Sequence, residues 1–523
     1  MRMLTFVNPL EQVAVVRLLE FLQNRTPWNR SLWGIGIILA MDELYEGCAA
    51  LRHGHLSDAS IKRMASSLQK RVGVHPAFTE PERQFLRQQV QQVPRAEGAA
   101  HYGIRELSER VSRDYLTRWA GALRAGNLKV EHFARSVGAH LLDAGFSSQY
   151  LHDFIKARLD APDPITAAEL CDELHTAMVA APRKEFEVML AFGTKPEFLN
   201  GIPTTWLRDA AVTGWLRENG FDTAGVRSPV AMILRVQARD VVGAAEMARN
   251  ETDRYAARAL IATGAPLNRL PHLWVKGASN SFPLKGHSRG VGVKELFRED
   301  RVFSSDANQS VDAAIELMAH LEESSPPAAV AGGWGAIEGL LADPSDRSSA
   351  ADHLATLVTC SFPRAELTAL SYRAEQTDPA VAAELQNAPT NRERCRILAS
   401  MIIEQRLPPM RALTDQAAVA RLTKLFANPH PELQTIREAI GDSFHRLYRQ
   451  RNLILHGAKL DSVALAANLR TVARLAGAGM DRITHGHYVQ NLKPLELVAK
   501  ANLALTLAGR DSPLGCVELL EIT

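Results

Sequence analysis

Cysteine is scarce in this chain. The five cysteines, Cys48, Cys171, Cys360, Cys395 and Cys516, are widely scattered and odd in number, and no Cys-x-x-Cys occurs. That excludes a disulfide framework and a zinc knuckle and fits a reducing compartment, so a cytoplasmic location is expected. Long apolar runs are missing too. The longest, Trp33 to Met41, is closed by Asp42, Glu43 and Glu46, well short of the roughly 18 residues a membrane span needs. The opening Met1–Val7 is interrupted too soon, by Asn8, Pro9 and Glu11, to read as a signal peptide. Excess charge is absent: 60 Lys and Arg face 58 Asp and Glu, a formal net charge of +2. Any contact with nucleic acid must therefore be local. The phosphate-binding GxxxxGK[ST] loop, a dinucleotide fingerprint, an HExxH zinc helix and a GxSxG elbow are all lacking, as are fixed-period repeats and low-complexity tails.

What is present is ordinary globular composition, 46% hydrophobic and 23% charged over 523 residues, enough for several domains with real cores. Residues 1–180 read as helical. Leu107, Val111, Tyr115, Leu116 and Trp119 trace one face of a helix, and Thr166 with Glu169 is a capping box ahead of another. Residues 181–305 change texture. Phe186, Val188 and Leu190 alternate with charged or small residues, Val230–Arg239 is rich in branched residues, and a helix is expected over Val241–Thr263. His272–Lys276 and Gly290–Lys294 look like further strands, which makes this a small α+β module. Residues 306–523 return to helices and read as a bundle, with Glu323–Pro327 expected as a linker. The fold class is thus mainly α and multidomain, with a central α+β module.

One segment has residues suited to chemistry. From Glu432 to His456, Leu433, Ile436, Ile440, Phe444, Leu447 and Ile454 recur at helical spacing, and Gly457 is a natural stop. Asn452 and His456, four apart, share a face. Arg451 lies about 100° around from Asn452 and about 7.5 Å up the axis from His456, within an arginine's reach. All three can line one wall, above a buried Leu453–Leu455 stretch. Cleaving RNA through its own 2′-hydroxyl needs a base, an acid and positive charge against the phosphorane. Histidine suits the proton work, arginine holds phosphate oxygens with a permanent charge, and asparagine can orient either. At a helix C-terminus His456 is cast first as general acid or phosphate donor. A second proton-transfer group is missing from so small a set; a two-fold dimer apposing two such helices would supply one. Read on spacing alone, His456 is equally a capping side chain and Arg451 a solvated one.

Arg451-Asn-Leu-Ile-Leu-His456-Gly, preceded by Phe444-His-Arg-Leu-Tyr-Arg, resembles the ribonuclease signature of HEPN domains. Trp334-Gly-Ala-Ile-Glu338-Gly-Leu-Leu341 resembles the earlier helix of the branch called ApeA-like. The likeness covers about residues 305–510, with a long interval between its two motif helices. It implies a dimerising helical bundle that cuts RNA without metal or cofactor, often as a toxin or an effector against phage under a phage or host trigger. By position it implies that Arg451 and His456 are catalytic, Asn452 supporting and Glu338 a site organiser, unless Glu338 merely pairs with a base such as Arg449.

Other clusters invite readings. Arg449 is a candidate substrate contact beside the motif. Arg269, His272, Lys276, Lys285, His287, Arg289 and Lys294, with Trp274 and Phe282 interleaved, form a candidate RNA-holding surface in which Arg269, Lys276 and Arg289 are the expected phosphate contacts; a charged loop region is the plain alternative. His53-Gly-His55 and His485-Gly-His487 lack the further ligands a metal needs and are read as surface loops. Asp42, Glu43 and Glu46 are read as a solvated helix face. The leading expectation is a metal-independent endoribonuclease. The alternatives are a dimerising module that binds RNA or protein without chemistry, and a substrate-modifying enzyme centred on residues 181–305.

Overall fold

The computed structural model describes residues 8–196, 205–286, 288–306 and 309–521; His287 lies outside them. The chain is mainly α-helical and multidomain, with a small central β-sheet region flanked by helical N- and C-terminal regions. No described helix is long and apolar enough to cross a membrane. Two compact units are formed. Met1–His140, Lys156–Asp172 and Arg289–Thr523 make the larger, Leu141–Ile155 and Glu173–Ser288 the smaller.

Among the described residues the smaller unit is built on five antiparallel strands, β1 (Lys184–Phe192), β2 (Trp206–Arg208), β3 (Val230–Ala238), β4 (Arg269–Val275) and β5 (Phe282–Pro283), in the order β2-β3-β1-β4-β5. Side chains of a strand alternate between faces, and here both faces of β1 are covered. Phe186 and Val188 pack with Ala244, Ala245 and Ala248 of the Val241–Thr263 helix. Met189 and Ala191 pack with Val212 and Leu216 of the Ala210–Glu218 helix. The Val241–Thr263 helix starts where Asp240 accepts from the Gly243 amide and ends at left-handed Gly264. Neither β2 nor the Ala210–Glu218 helix was legible in the sequence, being too short for periodicity to register. Trp274 is buried in this core rather than displayed with the basic residues.

The larger unit is a helical assembly around one extended core that includes Trp334, Leu354, Phe444, Leu447 and Val472. Several expectations are corrected here. Of the Glu323–Pro327 stretch expected as a linker or loop, only Ser324 and Ser325 lie between helices: Glu323 ends one, and Pro326 and Pro327 open the Pro326–Leu341 helix, where the missing amide hydrogens are not needed. Gly290–Lys294 forms no strand. It lies against the Leu465–Tyr488 helix at Gly477, where a Cβ would stand 2.5 Å from the Gly292 nitrogen. That helix is continuous through its glycines, which admit close neighbours; a Cβ on Gly479 would sit 2.3 Å from Leu354 Cδ1. His485 and His487 are consequently helical, and His485 Nδ1 lies 2.6 Å from Glu295 Oε1. The Pro379–Gln386 helix was not foreseen.

Candidate active site

The Pro429–Gly457 helix is the spine of the site. Leu433, Ile440, Phe444, Leu447, Leu453 and Ile454 bury one side of it in the core. Its second half is gripped from another direction by the Ile37–Arg52 helix. Glu43, itself buried, accepts from Arg446 Nε at 2.9 Å and from Arg449 Nη2 at 2.9 Å and Nε at 3.2 Å. Glu46 Oε2 accepts from Ser462 Oγ at 2.6 Å, and its Oε1 lies 3.2 Å from Lys459 Nζ. The acidic trio at 42–46 is therefore not a solvated face. Asp42 is likewise engaged, accepting from Ser108 Oγ, and burial raises its carboxyl above the usual range.

Held this way, the helix ends in the open. The stop is made by left-handed Ala458 (φ 49°) rather than by Gly457, and the Ala458 and Lys459 amides both donate to the Leu453 carbonyl. On the last turns Arg451 Nη1 donates to Asn452 Oδ1 at 3.0 Å and to His456 Nε2 at 3.1 Å. Arginine cannot accept, so Nε2 of His456 accepts and the ring proton sits on Nδ1. That tautomer suits a base better than the acid expected from the helix terminus. Two of arginine's five N–H donors are thus used; Nε and Nη2 have no protein partner among the described residues and remain for a phosphate. Asn452 is buried and His456 exposed, so the amide is the fixed point on which the guanidinium and imidazole are aligned. Leu455, expected beneath the site, is instead 54% exposed.

Other expected site residues fall elsewhere. Glu338 is held by Trp334 Nε1 at 2.5 Å and by Arg347 Nη1 at 3.3 Å, with no bond to Arg451, His456 or Arg449. Arg449 is buried and closed on Glu43 rather than presented to solvent; burial draws its guanidinium below the ordinary arginine value, the Glu43 carboxylate opposing that shift and the Arg446 guanidinium adding to it. Arg269 pairs with Asp253 and Lys276 with Glu187 in the smaller unit. Arg289 belongs to the larger unit, where it donates to the Leu321 and Ser324 carbonyls. The basic run is thus divided between two units and mostly committed to structure.

One residue near the site escaped the sequence reading. The Ile37–Arg52 helix closes with Gly54 at φ 73° and the His55 amide on the Ala50 carbonyl, which turns His55 onto Gly457. A Cβ on Gly457 would stand 2.8 Å from His55 Nδ1. The His53-Gly-His55 motif was visible, but not what it faces. A cavity of about 840 Å³ opens farther up the long helix, lined among others by Trp33, Arg135, Phe362 and Arg437; Arg451 and His456 do not line it. Among the described residues no group of three or more His, Cys, Asp or Glu is placed to hold a metal ion. Comparison with protein-family models, with curated proteins and with solved structures found no match for this chain.

Proposed function

We propose that the protein is an endoribonuclease that cleaves RNA by attack of the 2′-hydroxyl on the adjacent phosphate, without a metal. The observation that carries this reading is the Arg451–Asn452–His456 group at the helix end, in which one guanidinium nitrogen reaches both a buried amide oxygen and an exposed imidazole nitrogen. Its free N–H donors suit the two anionic oxygens of a phosphodiester, whose growing charge they would stabilise in the transition state. Nε2 of His456, released when Arg451 turns to the phosphate, accepts the 2′-hydroxyl proton. An open helix end accommodates a strand where an enclosed pocket would not.

The protein would act on RNA in the cytoplasm, as a homodimer. Leu455, Leu460 and Val463, close to His456 in the chain, are 54%, 43% and 46% exposed, and exposed apolar side chains favour a second copy as their cover. Such an assembly would bring two Arg451–His456 groups together, and the resemblance to HEPN domains supports a role as a toxin or defence effector released by a phage or host trigger. The test is to incubate wild type, Arg451→Ala and His456→Ala with total cellular RNA in EDTA and to map fragment ends. Cleavage to 2′,3′-cyclic phosphates by wild type alone is expected. Unchanged RNA binding or growth inhibition in a His456→Ala variant would instead favour a binding module.

A further inference from the structure

The 2′-hydroxyl mechanism needs two proton transfers, and the Arg451 group supplies one imidazole. The other need not come from a second subunit. Gly457 follows His456 in the chain, their Cα atoms about 3.8 Å apart, and the His55 ring occupies the space a side chain at 457 would fill. Side chains at adjacent helical positions leave the axis about 100° apart, so the His55 and His456 imidazoles occupy neighbouring positions around one helix end.

His55 is not there by the accident of a loose turn. Glu43 fixes the Ile37–Arg52 helix to Arg446 and Arg449, Glu46 fixes it to Ser462 and Lys459, and Gly54 permits the left-handed turn that redirects the chain. The ring is half-buried, so it is held yet reachable. Its ring neighbour is His53, whose centroid is 5.9 Å away on the same turn, and the two segments that meet at Gly457 also carry the Glu46–Lys459 pair and the bonded Arg451 and His456. With His456 Nε2 accepting, the vacant role is the acid.

We propose that His55 is the general acid of this site, a catalytic residue drawn from the N-terminal helices rather than from the motif segment; the proposal rests on the ribonuclease reading. The 2′-oxygen bonds to phosphorus as the bond from phosphorus to the 5′-oxygen breaks. The 2′-hydroxyl proton passes to His456 Nε2, and a proton from His55 passes to the departing 5′-oxygen, leaving a 2′,3′-cyclic phosphate and a 5′-hydroxyl. Both imidazoles exchange protonation states, and water restores them.

The test compares the full-length wild type, His55→Gln and His456→Gln on RNA and on uridine 3′-(p-nitrophenyl phosphate), whose phenolate leaves without an acid. His55→Gln is expected to lose about 100-fold or more on RNA, to keep near wild-type rates on the nitrophenyl ester, and to lose the alkaline limb of its pH–rate profile. His456→Gln is expected to fail on both. An unchanged rate on RNA for His55→Gln, or an equal loss on both substrates, overturns the assignment while leaving the ribonuclease reading in place. A wild type inert toward both substrates overturns that reading, and the role of His55 with it.

Discussion

Replacing Glu43 with alanine removes the one carboxylate that joins the Ile37–Arg52 helix to two arginines of the long helix. Glu43, Arg446 and Arg449 are each about 5% exposed, and Arg446 Nη1 already has no partner. Deleting one member of a buried ion pair costs about 3–5 kcal/mol, because the remaining charge is left desolvated. Here two cations are left, so the upper part of that range is expected. Urea denaturation followed by tryptophan emission reads the loss, since Trp33 and Trp334 are buried in the same core. Replacing all three residues together, as Glu43→Leu, Arg446→Met and Arg449→Met, should return most of the stability, because no charge then stays buried. The pH dependence has a definite sign. Burial raises the Glu43 carboxyl, but the Arg446 and Arg449 guanidiniums outweigh it and hold the group below its ordinary 4.5. The unfolded chain then binds the proton first, so the contribution is complete above pH 4.5 and is lost as pH falls through the lower folded value. A loss below about 1 kcal/mol for Glu43→Ala, the size typical of exposed pairs, would refute the argument.

Arg451→Lys should cut RNA about 100-fold more slowly than wild type, since an ammonium cannot offer a planar fork to phosphate; a lysine variant of normal rate would remove the geometric argument. His132 is lowered by burial, then by Lys129 and Arg71, from 6.5 to about 4. Its contribution is therefore present above pH 6.5 and lost on acidification toward pH 4, with a ceiling of about 3 kcal/mol. Melting temperature should fall less between pH 7 and pH 4.5 in His132→Gln than in wild type, and equal falls would count against it. Gly479→Ala should destabilise the larger unit by about 1–3 kcal/mol, because its Cβ would overlap Leu354 Cδ1; denaturation midpoints equal to wild type would show that the crossing can relax.

The sequence by itself located the long, strongly periodic helices and their apolar sides, though not the short Ala210–Glu218 and Pro379–Gln386 helices. The periodicity of Leu433 to Ile454 located the long helix, and four- and five-residue spacings put Asn452, His456 and Arg451 within reach of one another, because helical geometry is a local property of the chain. Branched residues at alternate positions likewise marked β1 and β3. Tertiary structure alone decided what covers each face. An acid such as Glu43 looks the same in sequence whether it meets water or two arginines about four hundred residues away, and only the packing of the Ile37–Arg52 helix on the long helix selects the second. The same packing lays His55 on Gly457; elsewhere Glu338 meets Trp334 of its own helix and Arg347 instead of the motif, and Arg269 and Lys276 fall in a different unit from Arg289. Periodicity records that a surface is buried; the partner that buries it is fixed by contacts far apart in the chain, which no local pattern encodes.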